Sequence, residues 1–217
     1  MAIARDTSVN AGRSDLVTSK TWSHTCSGDN RILFVGVMAL SGDYITGVTY
    51  NGVSMTLIAK NNPGTAERMY LYVLVNPASG ANNVVASSTT SDYLYAGSAS
   101  YTGAKQSSQP DSNTSNSQNS TTSYATSTTS VADNCWGIEL VRCFSTSHNN
   151  VSVGANTSLV TKIFDALELV DNSSVAPKTP AGTITLTSTT VANTNWYSIM
   201  ASFSPAVSNQ ANFLAFF

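Results

Sequence analysis

The stretch CSGDNRILFVGVMAL, Cys26 to Leu40, is apolar without alternation from Ile32 onward. A strand with one wet face alternates apolar and polar side chains. An unbroken apolar run of this length therefore reads as a central strand covered on both faces. Asp29-Asn30 in front of it supplies turn chemistry. The same arrangement returns in SVADNCWGIELVRCF, Ser130 to Phe144, where Asp133-Asn134 again precedes an apolar run. Further on, SSTTSDYLYAGSASYTG (Ser87 to Gly103) and TSTTVANTNWYSIMASFSP (Thr187 to Pro205) share Ser-Thr-Thr and an Ala-Ser-aromatic-hydroxyl ending. Matched order at both ends, at an offset of about 100–104 residues, predicts an internal duplication.

Each half reads as about seven strands. Asn51-Gly52 lies between ITGVTY and VSMTLIA, and Asn-Gly takes the positive φ angles of a type I′ hairpin turn. RMYLYVLV, NNVVASS and DYLYAGSASY follow in the first half. In the second, GTITLTST alternates with Ile184 and Leu186 on one face, and WYSIMASF closes the repeat. No segment carries a 3.6-residue apolar period, and Gly, Asn and Ser interrupt the chain at the spacing of an all-β sandwich. The sequence thus predicts an all-β, antiparallel β-sandwich over residues 1–205. Its two related halves, about 17–103 and 121–205, are joined by a polar loop at 104–120, and a hydrophobic interaction tail follows at 206–217.

Of the 217 residues 41% are hydrophobic, which excludes a disordered chain, but only 10% are charged, against about 25% in an average globular protein. Ser, Thr and Asn replace Lys and Glu, favouring strands and turns over helices. A net charge of −2 without a basic stripe argues against nucleic acid as a partner. The longest apolar run, ILFVGVMAL, is far short of the ~20 residues of a membrane-spanning helix. The opening MAIARDTSVNAGRSD lacks the apolar core of a secretion signal. A neutral, hydroxyl-rich surface without such a signal fits a phage structural protein made in the host cytoplasm; a protein exported by a non-classical route, or a chain lacking its leader, would look the same. Cys135 and Cys143 flank WGIELVR; on one strand, eight steps separate them by ~26 Å, beyond disulfide reach.

Four segments together resemble a widespread, poorly characterised β-sandwich module of phage and metagenomic structural proteins and bacterial surface proteins. They are WSHTCSGDNRILFVGV (22–37), VTYNGVSMTLI (48–58), LYVLVNPASGANNVV (71–85) and AGSASYTGA (96–104). The resemblance extends over most of the chain to about Pro205. It implies a jelly-roll-like or lectin-like sandwich with a structural or adhesive role, and it brings no catalytic motif.

Candidate chemistry is sparse. Glu139 in GIELV and Glu168 in ALELV are the carboxylates set within apolar strands; facing one groove they would form a glycosidase pair, whereas the simpler reading points both outward. Asp165, Glu168 and Asp171, three apart, alternate faces on a strand and make a poor metal array. His24 and His148 come without a Gly-x-Ser-x-Gly elbow, so both read as structural. Asp29 and Asp133 read as turn residues in preference to calcium ligands. No catalytic residue, metal or cofactor is therefore expected. Tyr93 with Tyr95, and Tyr70 with Tyr72, share strand faces and are the candidates for stacking on a glycan.

The resulting expectation is a non-enzymatic virion protein: a capsid decoration, head-fibre or tail-associated β-sandwich. It would be a homo-oligomer (a trimer) contacting other virion proteins. The alternative is a carbohydrate-binding or adhesin module at a cell or virion surface, with a host glycan as partner. The chain ends NFLAFF, beyond the closing strand of the second repeat. Phe213, Leu214, Phe216 and Phe217 are accordingly expected to form an assembly contact with another chain.

Overall fold

The computed structural model describes residues 1–62, 66–144, 151–165 and 167–207, with backbone alone at 163–165 and 167–170. Thirteen strands and no helix occur among them. The first half contributes β1 (Ala4–Cys26), β2 (Ile32–Ala39), β3 (Ile45–Tyr50), β4 (Val53–Ser54), β5 (Thr56–Asn61), β6 (Arg68–Val75) and β7 (Gly80–Thr102). The second contributes β8 (Ser112–Thr129), β9 (Trp136–Cys143), β10 (Ser152–Val153), β11 (Thr157–Asp165), β12 (Leu167–Ser174) and β13 (Thr183–Phe203). All pairings are antiparallel, and each half forms its own sheet. Asn51 and Gly52 carry φ of 50° and 76° between β3 and β4, as a type I′ turn requires.

One pairing plan serves both sheets. In the first, β7 holds β1 on one edge and β2 then β3 on the other, with β6 and β5 continuing outward from β2. In the second, β13 holds β8, β9 and β10 in the same relation, and β12 and β11 continue from β9. The registers also correspond: Ile32–Ala39 faces Tyr101–Leu94, and Trp136–Cys143 faces Phe203–Trp196.

Each long ribbon folds back on its own sheet. Trp22 lies opposite Val84 in the β1–β7 ladder, yet its Nε1 donates to Ser98 Oγ at 3.0 Å. Fourteen steps of straight strand would separate positions 84 and 98 by ~46 Å, so the ribbon must reverse. The two ends of β1 meet as well, Ser27 N donating to Asp6 Oδ2 at 2.8 Å. Reversal falls where the register slips between Ser14 and Ser19, at Leu16 with φ 50°; bulges of this kind bend and twist a strand. In the second half Thr126, opposite Leu186, reaches Ser198 at 2.7 Å, and Ser120 takes the corner φ of 51°.

The unfolded faces of the two sheets pack on each other. Phe34, Leu71, Val73, Tyr95, Ala99 and Tyr101 meet Ile138, Leu140, Ile199, Ala201 and Phe203. Phe34 and Tyr101 each lie 5.0 Å, centroid to centroid, from Phe203. Asn61 Nδ2 donates across this seam to Ser198 O (2.9 Å) and Asn116 O (3.1 Å). Buried Arg142 contributes an ion pair, its Nη2 standing 3.3 Å from Glu67 Oε1.

Three expectations need correction. The supposed polar loop 104–120 is strand from Ser112: β8 runs along β13 with its Ser, Asn and Thr side chains largely in water. The first half of β8, residues 112–120, is an edge strand largely in water and requires no apolar alternation, so composition concealed it. The first repeat begins at β1 residue Ala4 instead of about 17, for the same reason. Glu139 points inward, because β9 is covered on both faces.

Candidate functional site

The widest cavity among those described, about 980 Å³, is a cleft at one pole of the molecule. Four segments converge there: Met1, Lys105–Asp111, Val131–Asn134 and Ser204–Val207. Asp111 organises the wall. Its Oδ1 accepts from Ser202 Oγ at 2.6 Å, and its Oδ2 accepts from Ser204 Oγ (3.1 Å), Cys135 Sγ (3.2 Å) and Val131 N (3.3 Å). Ser204 N donates to Gln109 Oε1 at 2.9 Å, Lys105 N donates to Ser204 O at 2.9 Å, and Ala206 N donates to Gly103 O at 2.7 Å. The Met1 amine closes the group by donating to Ala206 O at 3.1 Å. Burial pushes the Cys135 thiol up, which keeps it protonated beside Asp111. The cleft wall is thus rigid and mixed in polarity. Val131 and Val207 stand 69% and 83% exposed at its rim.

The outer cores of the two halves differ in chemistry at equivalent rungs. The first is apolar and includes Trp22, Val35, Tyr72, Ala86 and Ala96. The ladder positions of these five are taken in the second half by Thr126, Glu139, Asn172, Ser188 and Ser198, all buried. Asn172 Nδ2 donates to Glu139 Oε2 at 3.3 Å and to Ser188 Oγ at 3.2 Å. Burial raises the Glu139 carboxyl to about 7, against the lowering effect of Thr126, Asn172 and Ser198. Asp171, on the opposite face of β12, is likewise buried and raised to about 6, its carboxyl accepting from Thr161 Oγ1. Both acids are enclosed, an arrangement suited to holding protons inside a sheet sandwich.

In the first half His24 occupies a directional chain of hydrogen bonds. Ser100 Oγ donates to Asp6 Oδ2 (2.9 Å), so it accepts from His24 Nε2–H (3.0 Å). His24 Nδ1 then accepts from Ser98 Oγ (2.8 Å), which in turn accepts from Trp22 Nε1. The ring is therefore the neutral Nε2–H tautomer, and burial depresses its pKa to about 4 despite Asp6. With His24 only 1% exposed, this chain ties the folded-back end of β1 to β7.

The structure separates most of the residues singled out from sequence. Glu168 pairs with Cys143 on the β9–β12 ladder, its backbone four rungs and ~13 Å from the Glu139–Asn172 rung. Tyr70 and Tyr72 stack on each other at 6.5 Å and, like Tyr95, are largely buried, though Tyr70 and Tyr72 line a trough of about 400 Å³. Tyr93 is half-buried with the Arg13 guanidinium 4.6 Å above its ring. Asp133 Oδ1 accepts from Ala181 N at 2.7 Å, a turn role. All three cysteines are buried and none forms a disulfide. No group of three or more His, Cys, Asp or Glu side chains gathers around a potential metal position among the described residues. His148 and the tail residues Phe213, Leu214, Phe216 and Phe217 lie outside the described residues. Asp111 and the pole it organises were missed because its partners lie 20 to 93 residues away in sequence.

No family model matches this chain. No curated protein and no solved structure matches it either.

Proposed function

We propose that this is a non-enzymatic structural protein of a phage particle, a capsid decoration, head-fibre or tail-associated protein working through protein–protein assembly. The observation that carries the reading is the pole: Met1, Val207 and a cleft of about 980 Å³ share it, and the sequence that continues from Val207 ends in FLAFF. Around the rest of the molecule, edge strands such as β8 carry hydroxyl and amide groups, which keep the body soluble without inviting partners. One sticky pole on an otherwise neutral, doubly packed body suits a subunit that attaches at one end. The test is incorporation: particles assembled with a chain ending at Val207 are expected to lack the protein, while full-length chain is retained. Equal incorporation of both forms refutes the role of the pole.

The carbohydrate-binding alternative draws on a different place, a trough of about 400 Å³ between β3 and β5. Asp43 pairs there with Lys60 and accepts from the Tyr70 hydroxyl at 2.7 Å. A glycan-array signal abolished by Asp43→Ala would favour that reading.

A further inference from the structure

We infer that the cleft at this pole receives the segment 208–217 of a neighbouring copy, so that the protein assembles by exchanging these segments at one pole. This rests on the assembly reading above and specifies its contact. Half of the lining is apolar, supplied by residues such as Met1, Pro110, Val131, Pro205 and Val207, and the other half is polar, with Lys105 and Asp133 among it. The segment continuing from Val207 matches it in kind: SNQAN, a polar tether, then FLAFF. Four large apolar side chains in five residues gain by leaving water, and the apolar half of the cleft gives them concave surface to cover.

Departure is fixed at the rim, since Ser204 and Ala206 are held by the hydrogen bonds to Gln109, Lys105, Gly103 and Met1. Five tether residues reach at most ~17 Å, enough for a neighbour whose pole abuts this one. A second copy standing on this pole would also cover Met1, Val131 and Val207, which are 59%, 69% and 83% exposed. Donor and receiver occupy the same pole, so exchange closes on itself, in a pair or a three-fold ring, and does not propagate as a fibre.

Light scattering after size exclusion decides the matter, applied to the full chain, a chain ending at Val207, and the full chain carrying Val131→Lys. Val131 is exposed, so the lysine leaves folding intact, which a melting curve verifies. The full chain should have the mass of a closed oligomer and both altered chains that of a monomer. Mixing the two altered chains should restore a pair, one giving the segment and the other the cleft. A monomeric full chain, or an oligomer that keeps its mass after truncation, overturns the exchange. A monomeric full chain that still enters particles only with 208–217 present overturns the exchange and leaves the assembly role standing. An exchanged oligomer that enters no particle does the reverse.

Discussion

The carboxylate of Asp171 sits directly over Gly97, at the seam where the two sheets meet: a Cβ on Gly97 would lie 2.3 Å from Oδ2 and 2.8 Å from Thr161 Oγ1. Gly97 faces Gly36 across the β2–β7 ladder, and a Cβ on Gly36 would meet Asp171 Oδ1 at 3.0 Å and Leu140 Cδ1 at 2.6 Å. Two opposed glycines therefore form a notch in the first sheet that admits a buried acid from the second. Gly97→Ala should destabilise by about 1–3 kcal/mol, the cost of overpacking a close-packed interior. Pairing it with Asp171→Ala should recover part of that loss. Denaturant titrations of the two single variants and the double variant measure the coupling, and additive losses would show that the notch and the acid are independent.

Glu139 should make the protein less stable as pH rises. Its folded pKa, about 7, lies above the ordinary 4.5, so the folded state keeps a proton that the unfolded chain has released. Stability from this group is complete below about 4.5 and is lost as pH climbs to about 7. A shift of this size corresponds to about 3 kcal/mol. Glu139→Gln should match the parent near pH 4.5 and exceed it by up to that amount at pH 8, read from urea midpoints. Asp171, raised to about 6, acts in the same direction over a lower window in both proteins and cancels in the comparison.

His24 works with the opposite sign. Its folded pKa of about 4 lies below the ordinary 6.5, so the unfolded chain takes up a proton first on acidification. Stability is complete above about 6.5 and is lost as pH falls toward 4, where the imidazole must charge between Ser98 and Ser100. His24→Gln should start lower at pH 7, having lost two hydrogen bonds, and then decline less between pH 6.5 and 4. Parallel declines in the two proteins would mean that another group dominates that range.

The contrast between β2 and β8 explains how much could be read in advance. Ile32–Ala39 is apolar at every position except Gly36, and burial on both faces follows from that pattern. The Asn51-Gly52 turn was legible because positive φ restricts residue choice. β8, rich in Ser and Thr, was hidden: its hydrogen bonds to β13 are made by backbone that any residue supplies. Glu139 was misread because one charged residue in an apolar run looks like an outward face. Its neutralisation comes from burial between layers that the fold brings together, against the opposing hydrogen bonds of Asn172 and Thr126 from other strands. Gly36 and Gly97 were visible as interruptions in apolar strands, but nothing local identifies Asp171 as the group that fills the notch.

The ribbon corner gives a further prediction. Leu16 has φ 50° and is 62% exposed, a left-handed conformation that costs a side chain such as leucine about 1–2 kcal/mol. Little packing offsets that cost at so exposed a position. At the corresponding corner Ser120 adopts φ 51°, and Asn30, Asn51, Asn134 and Asn156 occupy left-handed turns elsewhere. Leu16→Asn should accordingly stabilise by about 0.5–1 kcal/mol, since asparagine tolerates this region. Leu16→Val should destabilise, a β-branched side chain being worse there. Thermal melting of the three proteins orders them. An asparagine variant less stable than the parent would mean that Leu16 makes a contact beyond the folded monomer, which its oligomeric mass would then reveal.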